Sequence, residues 1–443
     1  MSNLNKSVKD LLIKKALAKR INQNKKKDIS SHRPNHYIGS PDLAKYCQFE
    51  RFSAYQQLEV LHKGAEQLEI QDPFFKQHEK LEGGITWIKG KKYINYANYN
   101  YLNLANERAV KDAAIAAIEQ YGTSASASRI VSGERAISKE LELELAKTYG
   151  VDDALVFVSG HATNVTTIGY LFEKNDLIIH DALIHNSVLQ GIQLSGAKRF
   201  SFKHNDYYDL EKILIKEREN FNRVLIVLEG LYGMDGDYPD LPKFIQIKNQ
   251  HHALLMVDEA HSFGVMGEHG LGIKEHYQLK GTEVDIWMGT LSKVLAGCGG
   301  YIAGNEALIK HLRYCAPGFL YSVGIVPATA ASSVAALKIM LAEPERVHSL
   351  QKNSQLFLKL AKERGFNVGF SQGYAVVPIL VKNSTKAVSL TNYLFDHYIN
   401  VQPILYPAVE EKMARLRFFL SSHHTAQQIK ETIEKLALAM KAI

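Results

Sequence analysis

The chain has 443 residues, 46% of them hydrophobic and 22% charged, with 53 Lys and Arg against 46 Asp and Glu and a net charge of +7. Such a length exceeds one ordinary core, so two domains are expected, and with no apolar run of about 18 residues no transmembrane segment is expected. Three cysteines, Cys47, Cys298 and Cys315, have neither metal-ligand nor disulfide-framework spacing, which fits a reducing, cytoplasmic setting.

The charge is concentrated at one end. Residues 1–27 hold nine Lys or Arg and one acid, Asp10, a local charge of +8, so the other 416 residues sum to −1. A body this close to neutral offers no basic groove, and no nucleic-acid partner is expected. The tail places Val8, Leu11, Leu12, Ala16 and Leu17 among its lysines at rough helical spacing. It reads as a solvated helix, as an arm for an acidic partner or anionic surface, or as an organellar import segment.

Residues 28–40 read as a linker, and 41–70 as a helix ended by Pro73. Alternation over Ile85–Tyr96 about Lys89-Gly90 predicts a hairpin. A helix at 106–120, a Ser/Ala-rich loop at 122–128 and a helix at 137–149 follow. Then short apolar runs predict strands at 154–158, 177–180, 224–228, 253–257 and 284–288. Runs of this kind suit strands covered on both faces, hence a mostly parallel sheet flanked by helices. A long helix at 325–345 leads to strands at 374–381 and 416–420 and helices at 386–398 and 425–441, a smaller α+β unit. The expected division is a basic extension and linker over 1–40, a helix and hairpin over 41–104, a large domain over 105–325 and a small domain over 326–443.

Strand ends are where an open α/β sheet presents ligands. The first strand runs into Ser159-Gly160-His161, a turn whose glycine and helix start suit an anion. The second runs into Asp181 and His185, the third into Glu229 through Asp237, and the fourth into Asp258-Glu259-Ala260-His261. Asp and His also ligate metals, but no third and fourth ligand stands at matched spacing, so no metal is expected. The fifth strand leads to Gly289-Thr290-Leu291-Ser292-Lys293. A lysine among small residues after an apolar run reads either as a loop lysine between a buried strand and the next element or as a desolvated lysine that loses basicity and becomes a nucleophile toward carbonyls. An aspartate one strand–helix–strand unit away suits pyridoxal 5'-phosphate (PLP), with the lysine bonded to the cofactor and the carboxylate on its pyridine nitrogen.

These motifs resemble the α-oxoamine synthases, a family of fold-type-I PLP-dependent acyltransferases. It includes 8-amino-7-oxononanoate synthase, serine palmitoyltransferase, 5-aminolevulinate synthase and 2-amino-3-ketobutyrate ligase. The resemblance runs from about Ile94 to Thr425. It implies a central, mostly parallel seven-stranded sheet flanked by helices, with a smaller C-terminal α+β domain. It implies decarboxylative condensation of glycine, alanine or serine with an acyl thioester on CoA or on an acyl carrier protein, which the basic tail could dock. An aminotransferase-type reaction and a non-catalytic family subunit are the alternatives.

By position, the resemblance gives Lys293 the covalent cofactor and the Cα proton, Asp258 the pyridine nitrogen, and His261 the phenolic oxygen. It sets His185 on the ring face, Gly160, His161 and Thr290 at the phosphate, and Glu229 beside the cofactor. Ser322 would reach the phosphate from a partner subunit, making a homodimer with a shared active site. Arg417 would clamp the amino-acid carboxylate, and Asn100 and Ser128 would lie near the substrate; by strand alternation, the neighbouring Arg415 is expected to face the other way. The chain departs from the pattern at Gly233, where serine is common, at Ser124–Ser128, which replaces a more glycine-rich loop, and at Ala408, where oxononanoate synthase has threonine.

Overall fold

The computed structural model describes residues 46–67, 71–406 and 408–443. The basic extension and linker over 1–40 lie outside the described residues. The chain forms two compact units, residues 1–70 and 71–443. The described part of the first is a short turn at Phe49–Arg51 and a helix, Ser53–Gln67.

The second unit opens with β1 (Lys80–Glu82), β2 (Ile85–Ile88) and β3 (Lys91–Asn95). β2 and β3 form the expected hairpin, with Lys89 and Gly90 both at positive φ in its two-residue turn, the backbone such a tight turn requires. This sheet gains a fourth strand from far along the chain: β12 (Ile399–Asn400) pairs parallel with β3, and Asn400 Nδ2 donates to Asn95 Oδ1 at 2.9 Å.

The central sheet has seven strands: β4 (Asp153–Phe157), β5 (Leu177–Asp181), β6 (Lys198–Phe202), β7 (Val224–Glu229), β8 (Leu254–Asp258), β9 (Ile286–Thr290) and β10 (Gly300–Gly304). Their order is β4-β10-β9-β8-β7-β5-β6, with β10 antiparallel to both its neighbours. Alternate side chains feed cores on opposite faces, Leu177, Ile179, Ile226 and Leu228 on one, Ile178, Leu225 and Val227 on the other. That is why these runs are apolar throughout. Each such side chain, fully buried, contributes roughly 1.5–3 kcal/mol.

The expected helix over 325–345 is instead two, Pro327–Ala342 and Glu345–Glu363. Pro344 separates them, because proline has no N–H to donate and crowds the residue before it. A three-stranded sheet, β11-β14-β13, follows from β11 (Val376–Leu380), β13 (Gln402–Ile404) and β14 (Arg415–Phe419). Among the described residues no helix is long and apolar enough to cross a membrane.

Candidate active site

The carboxyl ends of β4, β5, β7, β8 and β9 converge on one cavity of about 90 Å³. Gly160, His161, His185, Glu229, Asp258, His261, Thr290 and Lys293 line it, joined by Asn164, Ser187, Ala260 and Met288. A larger cavity, about 460 Å³, lies at the opposite ends of the strands, lined by residues such as Asp152, Arg223 and Asp285. Its charged groups are held structurally, Arg223 by Asp176, Asp285 by Lys248, and Asp152 by Asn305 Nδ2 and the Glu306 N–H, so the chemistry belongs to the smaller one.

Asp258 ends β8 with its carboxylate fixed at both oxygens. Oδ2 accepts from Asn164 Nδ2 at 2.8 Å and Oδ1 from the Ala260 N–H at 2.9 Å. Asn164 is four residues past Gly160 on the helix Gly160–Leu171 and so shares its face. It also donates to Ser187 Oγ, which lies 2.7 Å from His185 Nδ1. Asp258, His185 and the helix Gly160–Leu171 are thus joined in one hydrogen-bonded frame.

Lys293 keeps some contact with solvent, but its amine sits deep enough that burial lowers its pKa to about 8. Asp258 and Glu229 oppose that fall, and Arg417 adds to it. Glu229 pairs in register with Asp258 on β8. Burial, then repulsion from Asp258, pushes its carboxyl up to about 8. His261 falls well below its ordinary value through burial, then through Lys293 and Arg417, and its Nδ1 lies 2.8 Å from the Tyr101 hydroxyl. His185 is exposed on its outer side. Burial of its ring lowers its pKa, Asp258 opposes this and Lys293 adds to it.

The helix Gly160–Leu171 is capped by Ser159, whose side chain accepts from the Ala162 N–H. A side chain at Gly160 would put Cβ 2.8 Å from Thr290 Oγ1. Glycine therefore lets the helix start and the end of β9 meet, and the first two residues of the helix, Gly160 and His161, both line the cavity. Thr290 Oγ1 itself donates to the Gly299 carbonyl at 2.9 Å. His161 is exposed and meets Gln190 Oε1 at 3.0 Å.

Arg417 comes from β14. Its Nη1 donates to the Gly233 carbonyl at 3.0 Å, its guanidinium lies 4.6 Å from the Phe419 ring centroid, and its Nε has no partner among the described residues. Burial lowers its pKa. Arg415 does not face the other way: its Nη1 binds the Met234 carbonyl at 3.0 Å and Asp235 Oδ1 at 2.7 Å. Residues two apart on a strand share a face, and alternation by one residue does not separate them.

Asn100 does not line the cavity. It accepts from the Ala105 N–H and reaches Asn103 within its own turn. Its neighbours carry the contact instead, Tyr101 through His261 and Tyr99 with its ring centroid 5.7 Å from Lys293 Nζ. Ser128 and Ser322 also lie off the cavity. Ser128 bridges to Val323 through backbone, and Ser322 Oγ donates to the Gly318 carbonyl at 2.6 Å.

Residues 91–436 match the family model of aminotransferase class I and II. The chain belongs to that family. The chain is 36% identical over 380 residues to the 8-amino-7-oxononanoate synthase of Treponema denticola, covering 85% of this chain and 95% of that one. It is 35% identical over 371 residues to the serine palmitoyltransferase of Bacteroides ovatus, covering 84% and 93%. Among solved structures, a serine palmitoyltransferase with PLP superposes with a TM-score of 0.84 at 27% identity, covering 89% of this chain and 99% of that one. An 8-amino-7-oxononanoate synthase from Francisella tularensis gives 0.69 at 28%, covering 79% and 98%. Within the family, then, this is an enzyme of the α-oxoamine synthase type, with the fold-type-I architecture that its motifs implied.

Proposed function

We propose that the chain condenses a small amino acid (glycine, alanine or serine) with an acyl thioester, using PLP held on Lys293, and releases CO2 and an α-aminoketone. The observation that carries this is the amine of Lys293, lowered to about 8 in one cavity with Asp258. The residues fit the cofactor. A helix start with no room for a side chain at Gly160 suits a phosphate, and a carboxylate anchored at both oxygens suits a cationic ring nitrogen. When bound, PLP supplies an electron sink for a carbanion at the amino acid's Cα.

The protein's part is positioning and proton transfer. The amine of Lys293, its pKa lowered to about 8, takes the Cα proton and returns one later. Arg417, with its free Nε, holds the substrate carboxylate and so fixes which Cα bond faces the acceptor. His261, neutral and tethered by Tyr101, offers Nε2 to an oxygen in the cavity. His185, which lines the same cavity, would stack on the cofactor's flat ring, and the thioester carbonyl would approach on its side. His161 and Thr290 flank the phosphate seat, and Glu229 closes the floor. In a homodimer, Ser322 would serve the partner's site, with Ser128 beside it, and Asn100 would border the substrate entrance.

The test presents the protein with each amino acid and with thioesters of varied chain length on CoA and on carrier protein, following free thiol and CO2. Equal release of both, only when both substrates are present, is the expected result. Amino-group transfer to a keto acid without CO2 would sink the reading.

A further inference from the structure

His204 stands two residues past β6, its side chain only 14% exposed, and takes no part in the chemistry above. Its Nδ1 lies 2.8 Å from Asp181 Oδ1 and its Nε2 lies 2.8 Å from Asp237 Oδ2. Burial opposes a charge on the ring, yet the two carboxylates raise its pKa to about 10, so it is a fixed cation at neutral pH. Asn205 serves the same pair, its N–H donating to Asp181 Oδ2 and its Nδ2 to Asp237 Oδ2, both at 2.8 Å.

The two carboxylates belong to the segments that leave two neighbouring strands, β5 and β7. Asp181 Oδ1 also accepts from the Leu183 N–H at 2.8 Å, closing the turn that delivers His185. Asp237 is the far end of the loop after β7, and its carbonyl accepts from the Tyr232 N–H at 2.8 Å. Within that loop the Gly233 carbonyl receives Arg417. The loop is also tethered by Arg415, through Asp235 and the Met234 carbonyl, and by the Gln372 N–H, which donates to the Gly236 carbonyl at 3.0 Å.

We propose that His204 is a positioning residue, an imidazolium clasp between Asp181 and Asp237 that fixes the 229–237 loop against the His185 turn and so sets where Arg417 receives the amino-acid carboxylate. The last clause rests on the role of Arg417 proposed above. A buried cation shared by two carboxylates is costly to break, because either partner left alone is an uncompensated charge.

His204→Gln and Asp237→Asn test it together. Amide exchange of residues 182–185 and 230–237, measured on the protein alone, should quicken about tenfold or more in both variants, since local opening sets exchange. In turnover, KM for the amino acid should rise about tenfold while KM for the thioester stays within about twofold. Should His204→Gln fail to fold, Asp237→Asn carries the same comparison. Unchanged exchange in both segments overturns the clasp. Faster exchange with unchanged amino-acid KM overturns its positioning role. A wild-type protein that turns over no thioester strikes the reading of Arg417, and the exchange comparison still judges the clasp.

Discussion

At Lys293 the fold makes a charge expensive. The group falls from its ordinary 10.5 to about 8, so between those values the unfolded chain holds more protons than the folded one. Stability of the cofactor-free protein therefore rises with pH across that window, and the full penalty is present below about pH 8. Lys293→Met removes the penalty. Its Tm, without cofactor, should exceed that of the wild type at pH 7, with a gap that narrows toward pH 10, while turnover falls by about a thousandfold or more. An equal gap at both pH values rejects the buried charge. Gly233 makes a second case. A Cβ there would lie 2.2 Å from His261 Nε2, so in this chain the histidine ring fills the space beside residue 233. Gly233→Ser should displace the ring from Tyr101 and cost about 1–3 kcal/mol in chemical denaturation. A variant as stable as the parent would show that the ring yields freely.

The elements that the sequence showed plainly are those whose physics is one-dimensional. β5, β7 and β8 are apolar because helices or loops cover both faces, and their ends announced Asp181, Glu229 and Asp258. β6, Lys-Arg-Phe-Ser-Phe, is an edge strand with exposed lysine and arginine, and β10 is bounded by glycines. Both lack the continuous apolar signal, and only pairing with neighbours makes them strands. Asn164, three residues past the Ser159-Gly160-His161 turn, escaped a role because its use depends on Asp258, 94 residues away. Tyr101 escaped for the same reason, since its partner His261 is 160 residues on. The turn at Gly160 can be probed directly. Gly160→Ala should lower PLP affinity about tenfold in titration by absorbance, because the new methyl parts the helix start from Thr290. An affinity equal to the parent's would show that this close approach is dispensable.

For the whole molecule, charge and connectivity carry the consequences. The +8 on residues 1–27 faces a body of −1, so an acidic carrier protein would meet attraction at the tail alone. Deleting residues 1–27 should raise KM for a carrier-bound donor at low salt, leave a CoA-bound donor unchanged, and lose its effect as salt screens the charge. Unchanged kinetics with the carrier-bound donor would reject the docking role.

The pairing of β3 with β12 joins Ile94 to Ile399. On a ribosome adding about 5–20 residues per second, the second partner emerges some 15–60 seconds after the first. Through that interval the hairpin presents an open edge with the run into Tyr99 and Tyr101 behind it, a template for any passing strand. The site's tyrosine wall is therefore among the last parts of the nascent chain to be secured. Slow synthesis, or a stop codon before residue 399, leaves a protein whose central sheet can close while that wall stays unpaired.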